Sequence, residues 1–161
     1  MKIAVAVLTL AVAVTSHAAE PVYLDQLMET PLATLQAQFP GLKKEGCYSI
    51  GEGRYVVLSM DKKAGKPWRV AVTSELPCKR PEDAGILEVR QRHGVLLGDT
   101  TLAVLEKMGR PDASAPPDAA LARLGDLEYF YVCRVSEQCA RHNSVFIKGG
   151  VVTALAEWYS E

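Results

Sequence analysis

Apolar residues recur along this chain at three different spacings, and each spacing predicts a different element. Residues 3–14 form an unbroken run of Ala, Val, Leu and Ile apart from Thr9. Lys2 precedes the run, and Ser16-His17-Ala18 follows it with small residues at the two positions a signal peptidase reads. That order predicts a cleaved secretory leader over residues 1–18, and the run is too short to span a bilayer. Cleavage after Ala19 is the weaker alternative, because His17 would then stand where a small residue is wanted.

The second spacing is three and four. Leu32, Leu35 and Phe39 share one face, behind Thr30-Pro31 and ahead of Pro40-Gly41. An N-cap, a proline at the first helical position and a Pro/Gly stop predict a helix there. The stretch GDTTLAVLEKMGRPD repeats the pattern. Gly98 leads in and Asp99 or Thr100 caps, while Leu102, Leu105 and Met108 make an apolar stripe with Val104 beside it. Gly109 suits the left-handed closing residue, and Pro111 cannot continue the helix. Shorter helical turns are expected over residues 22–28 and 118–124.

The third spacing is two. Trp68, Val70 and Val72 alternate with Arg69, Thr73 and Glu75, which predicts a half-buried antiparallel strand. Residues 47–50, 54–60, 86–91 and 127–134 read as further strands, and residues 113–117 as a loop. Two β-branched runs around Gly149-Gly150 read as a hairpin. The order is thus helix, three strands, helix, three strands. Thr30-Pro31-Leu32-Ala33-Thr34-Leu35 also has a counterpart in Thr100-Thr101-Leu102-Ala103-Val104-Leu105. The expectation is an α+β fold, a tandem repeat of a helix plus a three-stranded antiparallel sheet with helices packed on one sheet face. The repeats would occupy residues 19–80 and 81–161, with the Pro- and charge-containing connector 76–85 between them.

Charge and cysteine content narrow the setting. The formal net charge is −1, and losing Lys2 makes it one unit more negative, so nothing marks a nucleic-acid or anionic-lipid partner. Lys62, Lys63, Lys66 and Arg69 read as a solvated hairpin tip. No later run is long enough for stable membrane insertion. The four cysteines, Cys47, Cys78, Cys133 and Cys139, read as disulfides in an exported chain. Of three pairings, Cys47–Cys78 with Cys133–Cys139 keeps each bridge within one half. A metal reading of Cys133, Cys139 and His142 has only three ligands at an unusual spacing, so no metal or other cofactor is expected.

The motifs of the second half carry a family resemblance. Gly94-Val95-Leu96-Leu97-Gly98-Asp99-Thr100 resembles the "G-I-x-x-G-[DS]-[ST]" entry of SmpA/OmlA domains, exported bacterial modules typified by the small lipoprotein of the outer-membrane assembly machinery. The helix end Val104-Leu105-Glu106-Lys107-Met108-Gly109-Arg110-Pro111 is similar to their "V-L-x-x-x-G-x-P". Tyr129-Phe130-Tyr131 and residues 145–152 resemble their aromatic strand and closing hairpin. The tandem arrangement with one disulfide per half looks like β-lactamase inhibitor protein. The resemblance implies helices on one face of an antiparallel sheet and a free opposite face for a protein partner. This chain has no cysteine at the leader cut for a lipid, so it does not carry over anchoring.

Candidate catalytic groups do not assemble. There is no G-x-S-x-G elbow, disulfides consume the thiols a Cys–His pair would need, and the acid pairs Glu82/Asp83 and Asp126/Glu128 read as solvated. Aromatic residues are the better candidates. With Trp68 and Trp158 assigned to the core by alternation, Tyr55, Tyr129, Tyr131 and Tyr159 are expected on the open sheet face. Together with Arg134, Arg141 and His142 they form an expected protein-binding surface. The expected function is that of a non-catalytic periplasmic protein-binding module, an inhibitor or immunity protein against a secreted toxin or hydrolase. The alternative is an accessory protein of envelope assembly.

Overall fold

The computed structural model describes residues 20–132 and 141–159. The expected leader of residues 1–18, Cys133, Cys139 and Arg134 lie outside the described residues. In chain order the elements begin with β1 (Val22–Tyr23), α1 (Leu24–Glu29), α2 (Leu32–Gln38), β2 (Glu45–Ser49), β3 (Tyr55–Met60) and β4 (Pro67–Thr73). There follow β5 (Glu82–Asp83), β6 (Val89–Arg90), α3 (Thr101–Met108), β7 (Ala113–Ala115), β8 (Leu127–Val132), β9 (Arg141–Lys148) and β10 (Val151–Tyr159).

Eight strands form a single mixed sheet in the order β5-β2-β3-β4-β10-β9-β8-β7, and β1 pairs separately with β6. The joint is the antiparallel β4–β10 ladder, in which Val72 faces Leu155 and Val70 faces Glu157. This corrects the expected tandem repeat of helix-plus-three-strand units with helices on one sheet face. The last strand of the chain completes the sheet begun by its first half, so neither half holds a closed sheet of its own. Two successive helices precede β2, whereas α3 alone precedes β7, and β2 pairs with β5 in parallel.

The supposed sequence copies also differ in role. Thr100 caps α3, its side-chain oxygen accepting from the Ala103 amide at 3.2 Å. Thr30 caps nothing ahead of it. Its hydroxyl turns back to donate to the Gln26 carbonyl at 2.7 Å, closing α1, and Pro31 occupies the N-cap position of α2. Leu102 is 65% exposed and Leu105 37%, while Val104 is fully buried. The face of α3 turned inward is therefore the one carrying Val104, not the predicted Leu102–Leu105 stripe.

The main core lies on one side of the sheet. Val56, Leu58, Val70, Val72, Val145, Ile147 and Leu155 project there and meet Leu24, Leu27 and Met28 of α1, Leu35 of α2, and Val89 and Val95 from the β6 region. The other side is also partly covered. Leu121 and Leu124, from the turns after β7, pack on Ala71, Phe146, Ala154 and Ala156. Gly125 lets this segment touch the sheet, because a Cβ there would stand 2.9 Å from the Ile147 backbone. The predicted β9–β10 hairpin is present, with Gly149 and Gly150 at positive φ as a two-residue turn of this kind requires.

One irregularity has large consequences. A register shift between Val152 and Ala154 places Val152 on the main-core side and Ala154, Ala156 and Trp158 on the other. Trp158 therefore leaves the face that alternation with Val152 assigned to it. Its neighbours Glu157 and Tyr159 take the core side instead.

Cys47 and Cys78 form a disulfide that ties β2 to the segment after β4. Among the described residues, no helix is long and apolar enough to cross a membrane.

Candidate functional site

Three adjacent strands place a polar row on the main-core side of the sheet, where period two predicts apolar residues. Tyr131 of β8 stands opposite Asn143 of β9, and Asn143 opposite Glu157 of β10. Arg141 and Tyr159 form the next rung. The apolar layer stops short of this end. In its place Asp25 of α1, Arg92 and His93 after β6, and Met108, Arg110 and Asp112 at the exit of α3 enclose a cleft of about 340 Å³.

Glu157 is the central group. It is 4% exposed, and among the described residues its Oε2 has no hydrogen-bond partner. The nearest described cation is Arg141, whose Nε lies 3.9 Å from that oxygen, too far for a hydrogen bond. Burial pushes the Glu157 carboxyl up to about 7; Arg141 and Arg92 oppose that rise, and Asp25 adds to it. The group thus exchanges its proton near neutral pH.

The surrounding groups are largely committed. The Tyr131 hydroxyl donates to the Gly109 carbonyl at 3.2 Å, and burial pushes its pKa up to about 12. Gln91, itself buried, donates through Nε2 to Asn143 Oδ1 at 2.9 Å. Arg92 is held by Asp25 and lies over the Tyr23 ring, 4.8 Å from its centroid. Asp112 accepts from the Val132 amide at 2.8 Å. Just outside the cleft, Tyr159 donates to Glu29. Burial and that bond push Tyr159 up to about 12, and the same bond, aided by Lys66, holds Glu29 below its ordinary value.

The aromatic residues proposed from the sequence are divided by the sheet. Tyr129, Tyr131 and Tyr159 pack on the main-core side, which corrects their expected place on the open face. Tyr131 and Arg141 line the cleft, with Tyr159 one rung away. Tyr55 lies on the opposite face, between Ser49 and Thr73 in register. His142 also faces that way, its ring 5.1 Å from Phe130, which in turn meets Trp158 at 6.0 Å. Gly98, Asp99, Gly109 and Pro111 keep a structural role. Gly98 donates to the Val152 carbonyl at 2.8 Å, Asp99 binds the Leu96 amide and Lys107, and Gly109 closes α3 on Leu105.

Sequence reasoning missed Glu157, Asp25, Arg92 and Arg110, while Asn143 closes the loop Arg141 to Asn143 that it expected to make contact. One signal was present. Glu157 is the only charged residue in the run Val151–Tyr159, on a strand apolar on both faces. A lone acid in such a setting is paired, neutral or functional. Compared with protein-family models, with curated proteins and with solved structures, the chain matches none.

Proposed function

We propose that this chain is an exported, non-catalytic protein-binding module of the bacterial periplasm, acting as an inhibitor or immunity protein against a secreted toxin or hydrolase. The observation that carries the reading is the cleft. Arg92, Arg110 and Arg141 line it together with Val132, which is 39% exposed. Arginines around a recess with an apolar rim are the composition of an interface anchor point. Export rests on the leader pattern of residues 1–18, with which the Cys47–Cys78 bridge is compatible. The motifs resembling SmpA/OmlA domains support an envelope setting, and an accessory role in envelope assembly is the second form of the same reading.

Affinity capture from periplasmic extract, followed by mass spectrometry, tests this. The wild-type chain is expected to retain a defined partner, and Arg110→Ala combined with Arg141→Ala to lose it. Undiminished capture by the folded double variant would place the contact surface elsewhere.

A further inference from the structure

Sorting the polar groups of the cleft into spent and unspent ones identifies what fits it. The acceptors are almost all spent: Asp25 on Arg92, Asn143 Oδ1 on Gln91, and one Asp112 oxygen on the Val132 amide. The donors are not. Among the described residues the side chains of Arg110 and Arg141 make no hydrogen bond, Arg92 engages Asp25 through Nε alone, and the Asn143 side-chain nitrogen has no partner. Glu157, nine-tenths buried and unpartnered at Oε2, belongs to this second group whenever it carries its proton.

We infer that the cleft is a receptor for a single carboxylate, supplied by an aspartate or glutamate side chain of the partner. A carboxylate offers two acceptor oxygens in the geometry that a guanidinium fork matches. Charge selects it over phosphate. With Glu157 neutral, the guanidiniums of Arg92, Arg110 and Arg141 exceed the carboxylates of Asp25 and Asp112 by one among the described residues that line the cleft, the complement of a monoanion. The protonated Glu157 then donates a hydrogen bond to the incoming carboxylate, so binding takes up a proton. The partner side chain as source rests on the protein-binding reading above, while the carboxylate chemistry rests on the cleft alone.

Among the described residues, the other titratable groups facing Glu157 are Arg141, Tyr131 and Tyr159 on the sheet and Asp25 on α1. From the loops come Arg92, His93, Arg110 and Asp112. His93 lines the same cleft, and its own variant separates its contribution from that of Glu157.

The probe is the capped peptide acetyl-alanyl-glutamyl-alaninamide, titrated into the protein and followed by NMR, with its glutaminyl counterpart, acetate and inorganic phosphate as comparisons. The glutamyl peptide is expected to bind most tightly, and its affinity to fall about tenfold between pH 6 and pH 8 as Glu157 ionises. Arg141→Gln is expected to weaken it about tenfold at pH 6, where Glu157 is protonated in both proteins, by removing a charge-assisted donor. Glu157→Gln, whose amide still donates, is expected to bind with no such pH dependence, and His93→Gln to keep it. Urea unfolding verifies that each variant is folded.

Equal binding of the glutaminyl peptide, or affinity that rises with pH, overturns the carboxylate assignment. Persistence of the pH dependence in Glu157→Gln overturns the role of Glu157. Tighter binding of phosphate overturns the charge argument, and acetate binding as tightly as the peptide overturns the partner side chain as the source. If the peptide fails while partner capture still depends on Arg110 and Arg141, this inference falls and the protein-binding reading stands.

Discussion

Replacing Glu157 by glutamine is expected to raise the stability of this protein above neutral pH and to leave its acid-range stability nearly unchanged relative to wild type. The unfolded chain holds this carboxyl near its ordinary 4.5, whereas burial in the fold raises it to about 7. Between those values the native state binds the proton and the unfolded state has released it, so wild-type stability falls as pH rises. The gap corresponds to about 3 kcal/mol, fully present above about pH 7 and absent below about pH 4. Glutamine has nearly the same shape and does not ionise, so it lacks this term at every pH. Its amide takes the place of the protonated carboxyl, which is equally short of partners in acid, so the two curves nearly coincide there. Urea unfolding of both proteins from pH 4 to pH 8.5 measures the effect. The stability difference, glutamine variant minus wild type, should grow by about 3 kcal/mol across that range. Other groups, including the acid-sensitive Glu29 held low by Tyr159 and Lys66, cancel in the difference. Parallel curves would refute the argument that Glu157 is a buried, unpaired acid.

Three further outcomes follow from the packing. Joint replacement of Cys47 and Cys78 by alanine should cost about 4 kcal/mol on the loop-closure model for a sequence separation of 31, read as a lower urea midpoint. Leu155→Ala, at the strand joint opposite Val72, should cost about 2–5 kcal/mol, since that side chain is 1% exposed. Within α3, Leu102→Gln should change stability by about 0.5 kcal/mol or less, while Val104→Ala should cost about 2 kcal/mol; the reverse order would restore the stripe expected from the sequence.

Local patterns were legible because the residues that set them are neighbours in the chain. The Thr100 cap, the Gly109 closure and the Gly149-Gly150 hairpin each depend on hydrogen bonds or backbone angles within a few positions. The alternation of Val70 and Val72 against Arg69 and Thr73 was readable for the same reason. Which side of a strand or helix is covered is a different matter, since a period separates two faces without naming the buried one. Trp68 shows the limit. It was assigned to the core with Val70 and Val72, yet it is half-buried, stacked under the Arg69 guanidinium next to a register shift between Ser59 and Met60.

The candidate site was legible only in fragments. Tyr131 and Arg141 could be picked out as residue types that favour interfaces, but their neighbours could not, because Asp25, Arg92, Arg110 and Glu157 come from distant parts of the chain. The displacement near Thr153 decides that Glu157 faces the cleft and Trp158 the other side. A single unpaired position inverts every later side chain of a strand, and such a position has no periodic signature.

By itself, the sequence determined the Thr100 cap, the Gly149-Gly150 turn, the position of most strands and the pairing preference of Cys47 with Cys78. Only the tertiary structure decided that β4 and β10 join both halves in one sheet, which face of α3 is buried, and that a buried acid shares a cleft with three arginines. The first group is governed by short-range backbone hydrogen bonding and chain proximity. The second depends on which distant surfaces exclude water from one another, and that is settled when the chain packs as a whole.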